Sequence, residues 1–133
     1  EIAALELSVN IKFLGRMANS LLPKVINKYP IVVLCSNFEG SPKTLLESMS
    51  CGKAVIGTNQ PGINNVISHD ENGLLCESTI PDLRAAILSL HKDVAKRERL
   101  GIEARKLIIK NNSKIEAISR ELSIYKKLLK LRH

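Results

Sequence analysis

The sequence predicts an α/β fold: a Rossmann-like parallel sheet flanked by helices, with further helices closing the carboxyl-terminal end. Three observations carry this. Two short runs rich in β-branched residues, Ile31-Val32-Val33-Leu34-Cys35 and Ala54-Val55-Ile56, are apolar without alternation, as strands buried on both faces are. Stretches with helical apolar spacing lie between them, so strand and helix take turns along the chain. From Pro81 onward the pattern is helical throughout.

The elements follow in order. Glu1 to Leu7 reads as the end of a helix whose start is missing. Val9 to Leu14 reads as a strand closed by Gly15. Asn19 or Ser20 can cap a helix carrying Leu21, Leu22, Val25 and Ile26, with Pro23 in its first turn and Tyr29-Pro30 at its end. The strand Ile31 to Cys35 comes next. Pro42 suits a first helical turn, Leu45, Leu46 and Met49 face the sheet, and Gly52 ends that helix as a left-handed cap. After the strand Ala54 to Thr58, Asn59-Gln60-Pro61-Gly62 is a turn. Ile63 to Ile67 is open to a short helix or a loop. Asp70 to Gly73 turns into the short strand Leu74 to Cys76. Pro81-Asp82 opens a helix, Ala95 to Lys110 continues in helical register, and Asn112 or Ser113 caps a last helix. That helix has one apolar stripe through Ile115, Ile118, Leu122, Tyr125 and Leu129.

Composition bounds the function. A chain of 133 residues suits one domain with a genuine core. Tryptophan is absent and aromatics make up 3%, which argues against a stacking surface for single-stranded nucleic acid. No apolar run is long enough to span a bilayer and no signal-peptide pattern opens the chain, so the expected place is the cytoplasm. Cys35, Cys51 and Cys76 lie in or beside apolar runs, as buried thiols of a reducing compartment do. No cysteine–histidine spacing resembles a zinc site. The net charge of +7 is uneven: seven basic residues meet eight acidic ones over 1–91, and thirteen meet five over 92–133.

The chemistry concentrates between Asn37 and Gly52. A helix start presents unpaired N–H groups and partial positive charge, a ready anion site, and here the amides belong to Lys43, Thr44 and Leu45. Glu39 on the loop and Glu47 in the helix flank them. A carboxylate accepts paired hydrogen bonds from neighbouring hydroxyls, such as those of a ribose or a sugar ring. In a parallel sheet, ligands bind beyond the carboxyl ends of the strands, so Gly15-Arg16-Met17, Ser36 to Ser41 and Thr58 to Gly62 converge on one crevice. Each residue also has a plainer use. Glu39 and Glu47 suit a solvated surface, Arg16 an ordinary surface cation, and Lys43 a stem laid along the helix.

Glu39 and Glu47, seven residues apart, stand in the frame Glu39-Gly40-Ser41-Pro42 … Leu46-Glu47-Ser48-Met49-Ser50-Cys51-Gly52, followed by Val55-Ile56-Gly57-Thr58 and Glu71-Asn72-Gly73-Leu74-Leu75. This resembles the E-x7-E signature of glycosyltransferase family 4 (glycosyl transferases group 1), retaining enzymes of the GT-B fold that use nucleotide sugars. The resemblance runs from about Val9 to Arg105. It implies that residues 1–133 are part of the donor-binding, carboxyl-terminal domain, lacking its beginning and the acceptor domain, with 111–133 as its basic last helix. It implies that Glu47 binds the donor ribose and that Glu39 approaches the transferred sugar as the catalytic residue. Gly40, Ser41, Pro42, Lys43, Thr44 and Leu45 would meet sugar and diphosphate, and Gly15, Arg16 and Met17 would border the base. No metal or other cofactor is implied, because helix dipole and cations stabilise the leaving diphosphate.

The family's Gly-Gly turn stands here as Pro61-Gly62, and the acid that commonly follows it as Asn64-Asn65. The donor base, UDP, GDP or ADP, stays open, as does the acceptor in a polysaccharide or glycolipid pathway. Catalysis of transfer is expected of the full-length enzyme and not of this chain alone. Two alternatives remain. One is a basic-tailed module whose Lys126, Lys127, Lys130 and Arg132 meet an anionic membrane face or nucleic acid, with nucleic acid the less expected partner. The other is a GT-B nucleotide-sugar epimerase, against which the Glu39…Glu47 frame speaks.

Overall fold

The computed structural model describes residues 10–111 and 114–130. Three strands, β1 (Ile31–Leu34), β2 (Ala54–Thr58) and β3 (Leu74–Cys76), form one parallel sheet in the order β1-β2-β3. Ile31 lies opposite Ala54 and Leu34 opposite Gly57; Ile56 pairs with Leu74 and Thr58 with Cys76. The helices are α1 (Leu22–Ile26, entered by a 3₁₀ turn at Asn19–Leu21), α2 (Lys43–Ser50), α3 (Ile80–Lys92), α4 (Val94–Asn111) and α5 (Lys114–Lys130). None among the described residues is long and apolar enough to cross a membrane.

The central strand is buried along its whole length, which is why its sequence does not alternate. Val55 faces a layer made by Leu45 and Met49 of α2, Ile63 and Ile67 of the next segment, and Ala104 and Ile108 of α4. Ala54 and Ile56 face the other way, onto Leu74, Leu90 of α3 and Leu100 of α4. Helix α4 thus supplies both layers. Each large side chain fully buried here contributes about 1.5–3 kcal/mol of burial free energy.

Helix α2 ends as its glycine requires. Gly52 takes φ 70, its N–H donates to the Met49 carbonyl at 2.9 Å, and the Lys53 N–H reaches the Ser48 carbonyl at 3.1 Å. Those two bonds make a Schellman cap and satisfy two of the helix's open carbonyls. Arg105 of α4 donates to a third, that of Ser50.

Several expectations are corrected. Residues 11–18 form no strand, and Ile11, Phe13 and Leu14 are exposed. An extended segment makes no ladder by itself, and no strand among the described residues lies beside this one. Neither Asn19 nor Ser20 caps α1: the 3₁₀ turn starts after Ala18 without a side-chain cap. The segment after Pro61, left open to a short helix or a loop, is a series of turns that buries Ile63 and Ile67 directly. Helix α3 starts at Ile80, one residue before Pro81, because Thr79 caps it by accepting from the Asp82 N–H. The helix end expected over 1–7, residue Val9 of the expected strand, and the caps at Asn112 and Ser113 lie outside the described residues.

Candidate functional site

Two of the three loops expected at the carboxyl edge of the sheet are joined. Thr58, at the end of β2, donates its hydroxyl to the Ser36 carbonyl at 2.5 Å and accepts from the Ser36 N–H at 3.2 Å. Farther along, the Glu39 N–H donates to the Pro61 carbonyl at 3.1 Å. Gly62 follows with φ 87 and no room for a side chain: an added Cβ would stand 1.7 Å from the Glu39 carbonyl oxygen. Only a glycine allows both that backbone conformation and that approach. The loop carrying Glu39 is therefore positioned by the 59–62 turn.

The third loop stands apart. Gly15 takes φ 66, Arg16 is exposed and Met17 half-buried, and no hydrogen bond among the described residues ties them to the other two loops.

The start of α2 departs from the expectation of three open amides. Pro42, at φ −78 and ψ 71, is the centre of an inverse γ-turn in which the Lys43 N–H donates to the Ser41 carbonyl at 2.8 Å. The Leu45 N–H donates to the Pro42 carbonyl at 3.0 Å. Lys43 and Leu45 therefore present no free amide. Those of Gly40, Ser41 and Thr44 have no acceptor among the described residues. The open amides thus reach from Thr44 back onto the loop. Leu45 serves the core instead, fully buried with Met49.

Glu47 is on the opposite side of α2 from that core. It borders a cleft of about 80 Å³ with Asn19, Leu22, Pro23 and Ile26 of the preceding segment. The Glu39 main chain thus meets the 59–62 turn, whereas Glu47, in α2, borders α1. Both are half-buried, and neither carboxylate has a hydrogen-bond or ion-pair partner among the described residues. Carboxylates without partners are free to accept from hydroxyl donors. Lys43 is exposed beside them.

Other polar side chains around β3 are occupied within the fold. The Cys76 thiol is pushed up by burial, with Cys35, Asp82 and Glu77 adding to the shift, so it stays protonated. Asn72, within the Glu71-Asn72-Gly73 turn, accepts from the Ser68 N–H at 2.8 Å and donates to the Val66 carbonyl at 3.2 Å. His69 accepts from the Leu75 N–H at 3.0 Å and covers the outer edge of β3. The sequence singled out neither Thr58 nor Ser36. A threonine ending a fully apolar strand was the available signal, since a buried hydroxyl must find a partner.

Comparison with known proteins bears on the family and the fold. The model of the family described as Glycosyl transferases group 1 matches residues 1–107. An uncharacterized glycosyltransferase of Methanocaldococcus jannaschii is 33% identical over 93 residues, 69% of this chain and 26% of the relative. The N-acetyl-alpha-D-glucosaminyl L-malate synthase of Bacillus anthracis is 28% identical over 127 residues, 95% of this chain and 33% of the relative. The chain therefore spans a third or less of the length of these relatives. Among solved structures, TarM of S. aureus, in complex with Fondaparinux, alpha-GlcNAc-glycerol and UDP, superposes with a TM-score of 0.83 at 25% identity, over 93% of this chain and 25% of that one. The architecture is that of the carboxyl-terminal domains of GT-B proteins.

Proposed function

The chain belongs to the glycosyl transferases group 1 family, and from that premise we propose that residues 36–62 form the donor side of a family 4, retaining glycosyl transfer site. The supporting observation is that unpartnered carboxylates, Glu39 and Glu47, precede and follow open amides along the chain at a helix start on the carboxyl edge of a parallel sheet. Glu47 accepts the paired hydroxyls of the donor ribose. The amides of Gly40, Ser41 and Thr44, with the Lys43 ammonium, receive sugar and diphosphate oxygens. Glu39 faces the transferred sugar, and Gly15, Arg16 and Met17 border the base. As the glycosidic bond breaks, negative charge grows on the leaving diphosphate. Donors already fixed by the γ-turn and by the 59–62 turn then act mainly in the transition state, without a metal. Uridine is the first base to test, since TarM is solved with UDP. Cys35, Cys51 and Cys76 are free thiols, as in a cytoplasmic protein, although Cys35 is exposed and not buried as its apolar run led one to expect.

Calorimetry with UDP, GDP, ADP and their sugars tests this on the native chain and on Glu47→Ala. Binding of one nucleotide, lost selectively in the variant, is the expected result. Equal binding of the preferred nucleotide by both proteins would overturn the assignment.

One observation favours a second, additional role. Ile118, Leu122, Tyr125 and Leu129 of α5 are all exposed along one stripe, with Lys126 and Lys127 nearby. A basic amphipathic helix of this kind fits an anionic membrane surface. Co-sedimentation with anionic liposomes that collapses at high salt is the expected sign, and no co-sedimentation at low salt would remove it.

A further inference from the structure

We propose that Phe38 is a platform on which the C–H face of a pyranose ring stacks beside Glu39; this deepens the donor-site reading and rests on it. Phe38 is 69% exposed. A solitary apolar residue on a surface is ordinary, but this one is offered to water by a main chain fixed on both sides. The Ser36 hydroxyl donates to the Phe38 carbonyl at 2.9 Å, and the following N–H, that of Glu39, is held by Pro61. Ser36 is itself clamped at its N–H and its carbonyl by the Thr58 hydroxyl. The ring is thus carried by a pre-organised loop, on the residue that precedes the unpartnered carboxylate of Glu39 and the open amides of Gly40 and Ser41 in the chain.

That set of groups matches one ligand chemistry. A pyranose carries hydroxyls around its rim and polarised C–H bonds on its faces. Carboxylate and amides take the rim, and the negative face of an aromatic ring takes the C–H side. A phosphate gains nothing from the ring, so a diphosphate alone leaves Phe38 unused. A nucleobase also stacks on aromatics, but Glu47, assigned to the ribose, faces the α1 side of α2, away from this loop.

The chain has two phenylalanines, Phe13 and Phe38. Uniform replacement by 4-fluorophenylalanine therefore gives two fluorine resonances, assigned with Phe13→Leu. The probes are the methyl α-pyranosides of glucose, galactose, mannose and N-acetylglucosamine, their UDP- and GDP-linked forms, and UDP and GDP alone. The Phe38 resonance is expected to move with a pyranose and not with a bare nucleotide. Movement by the free glycoside assigns an acceptor-type sugar, and movement by the nucleotide-linked form only assigns the donor sugar. Phe38→Leu, which keeps apolar bulk without a π face, should weaken that sugar's binding about fivefold, whereas Phe38→Tyr retains it. The proposal is overturned if no pyranose moves the resonance, if bare nucleotide moves it equally, or if Phe38→Leu binds as well. Failure of every nucleotide to bind while glycosides still move Phe38 would remove the donor reading and leave this one standing.

Discussion

Gly62 stands against the main chain of Glu39 so closely that a methyl group on it would overlap the Glu39 carbonyl, at 1.7 Å. The contact links a turn after β2 to the proposed catalytic residue after β1. Gly62→Ala adds that methyl group to a backbone already at φ 87, so strain and clash act together. The expected loss is about 2 kcal/mol or more in urea unfolding, with nucleotide-sugar affinity falling in parallel. An unchanged midpoint and unchanged affinity would show that Gly62 does not position Glu39.

The Thr58 hydroxyl makes two bonds to the backbone of Ser36 while only 2% of the residue is exposed. Thr58→Val keeps the shape and the strand preference and removes both bonds. It leaves a Ser36 N–H and carbonyl short of partners, for a cost of about 1–3 kcal/mol. Thr58→Ser keeps the hydroxyl and should recover most of that. Equal unfolding midpoints for the Val and Ser variants would count against the clamp.

Thr79 caps α3 reciprocally. Its hydroxyl oxygen accepts from the Asp82 N–H at 3.3 Å, and the hydroxyl donates to the Asp82 carboxylate. Thr79→Ala should cost about 1 kcal/mol, read as a lower thermal midpoint, and Thr79→Ser, which keeps the hydroxyl, much less. If Ala and Ser variants melt together, the cap contributes nothing measurable.

The central strand was legible because burial on both faces leaves a mark in the chain itself: Val55 and Ile56 have no polar neighbour to alternate with, and the half-buried Val32 and Val33 of β1 share that pattern. The left-handed cap at Gly52 was legible for the same local reason, since an apolar helical run ends there on the residue that tolerates φ 70. Residues 10–14 show the limit. Ile11, Phe13 and Leu14 read as a strand in one dimension, yet a strand exists only where another strand receives its backbone bonds. The open amides show a second limit. Proline fixes φ but leaves ψ free, and ψ 71 at Pro42 decides that the Lys43 N–H turns back to Ser41. The Glu39–Gly62 contact was hidden for a third reason, because it joins loops that come together only after the strands pair. The Glu71-Asn72-Gly73 frame carried the family likeness, and Asn72 turns out to hold the turn's own backbone.

Asp70 sits at φ 62 in the turn before β3, and its carboxylate meets Lys96 at 3.0 Å and Arg99 at 3.1 Å, both on α4. Arg99 also donates to the Asp70 carbonyl at 2.9 Å. The Lys96 hydrogen bond is the main reason its pKa lies below the ordinary aspartate value of 3.8, with the Lys96 and Arg99 charges reinforcing it against some desolvation. Since the folded pKa is the lower one, this contribution is fully present above the unfolded pKa and is lost as pH falls through the folded one. Stability should therefore decline from about pH 4 downward. Asp70→Asn tolerates the same left-handed backbone but has no charge to titrate. Its acid unfolding curve should be flatter than the native one over that window, and the two should converge at the acid end. Because the pair is open to solvent, 1 M salt should shrink the difference. Identical acid limbs for the native chain and Asp70→Asn in low salt would mean that the link from this turn to α4 is held by the Arg99–carbonyl bond alone.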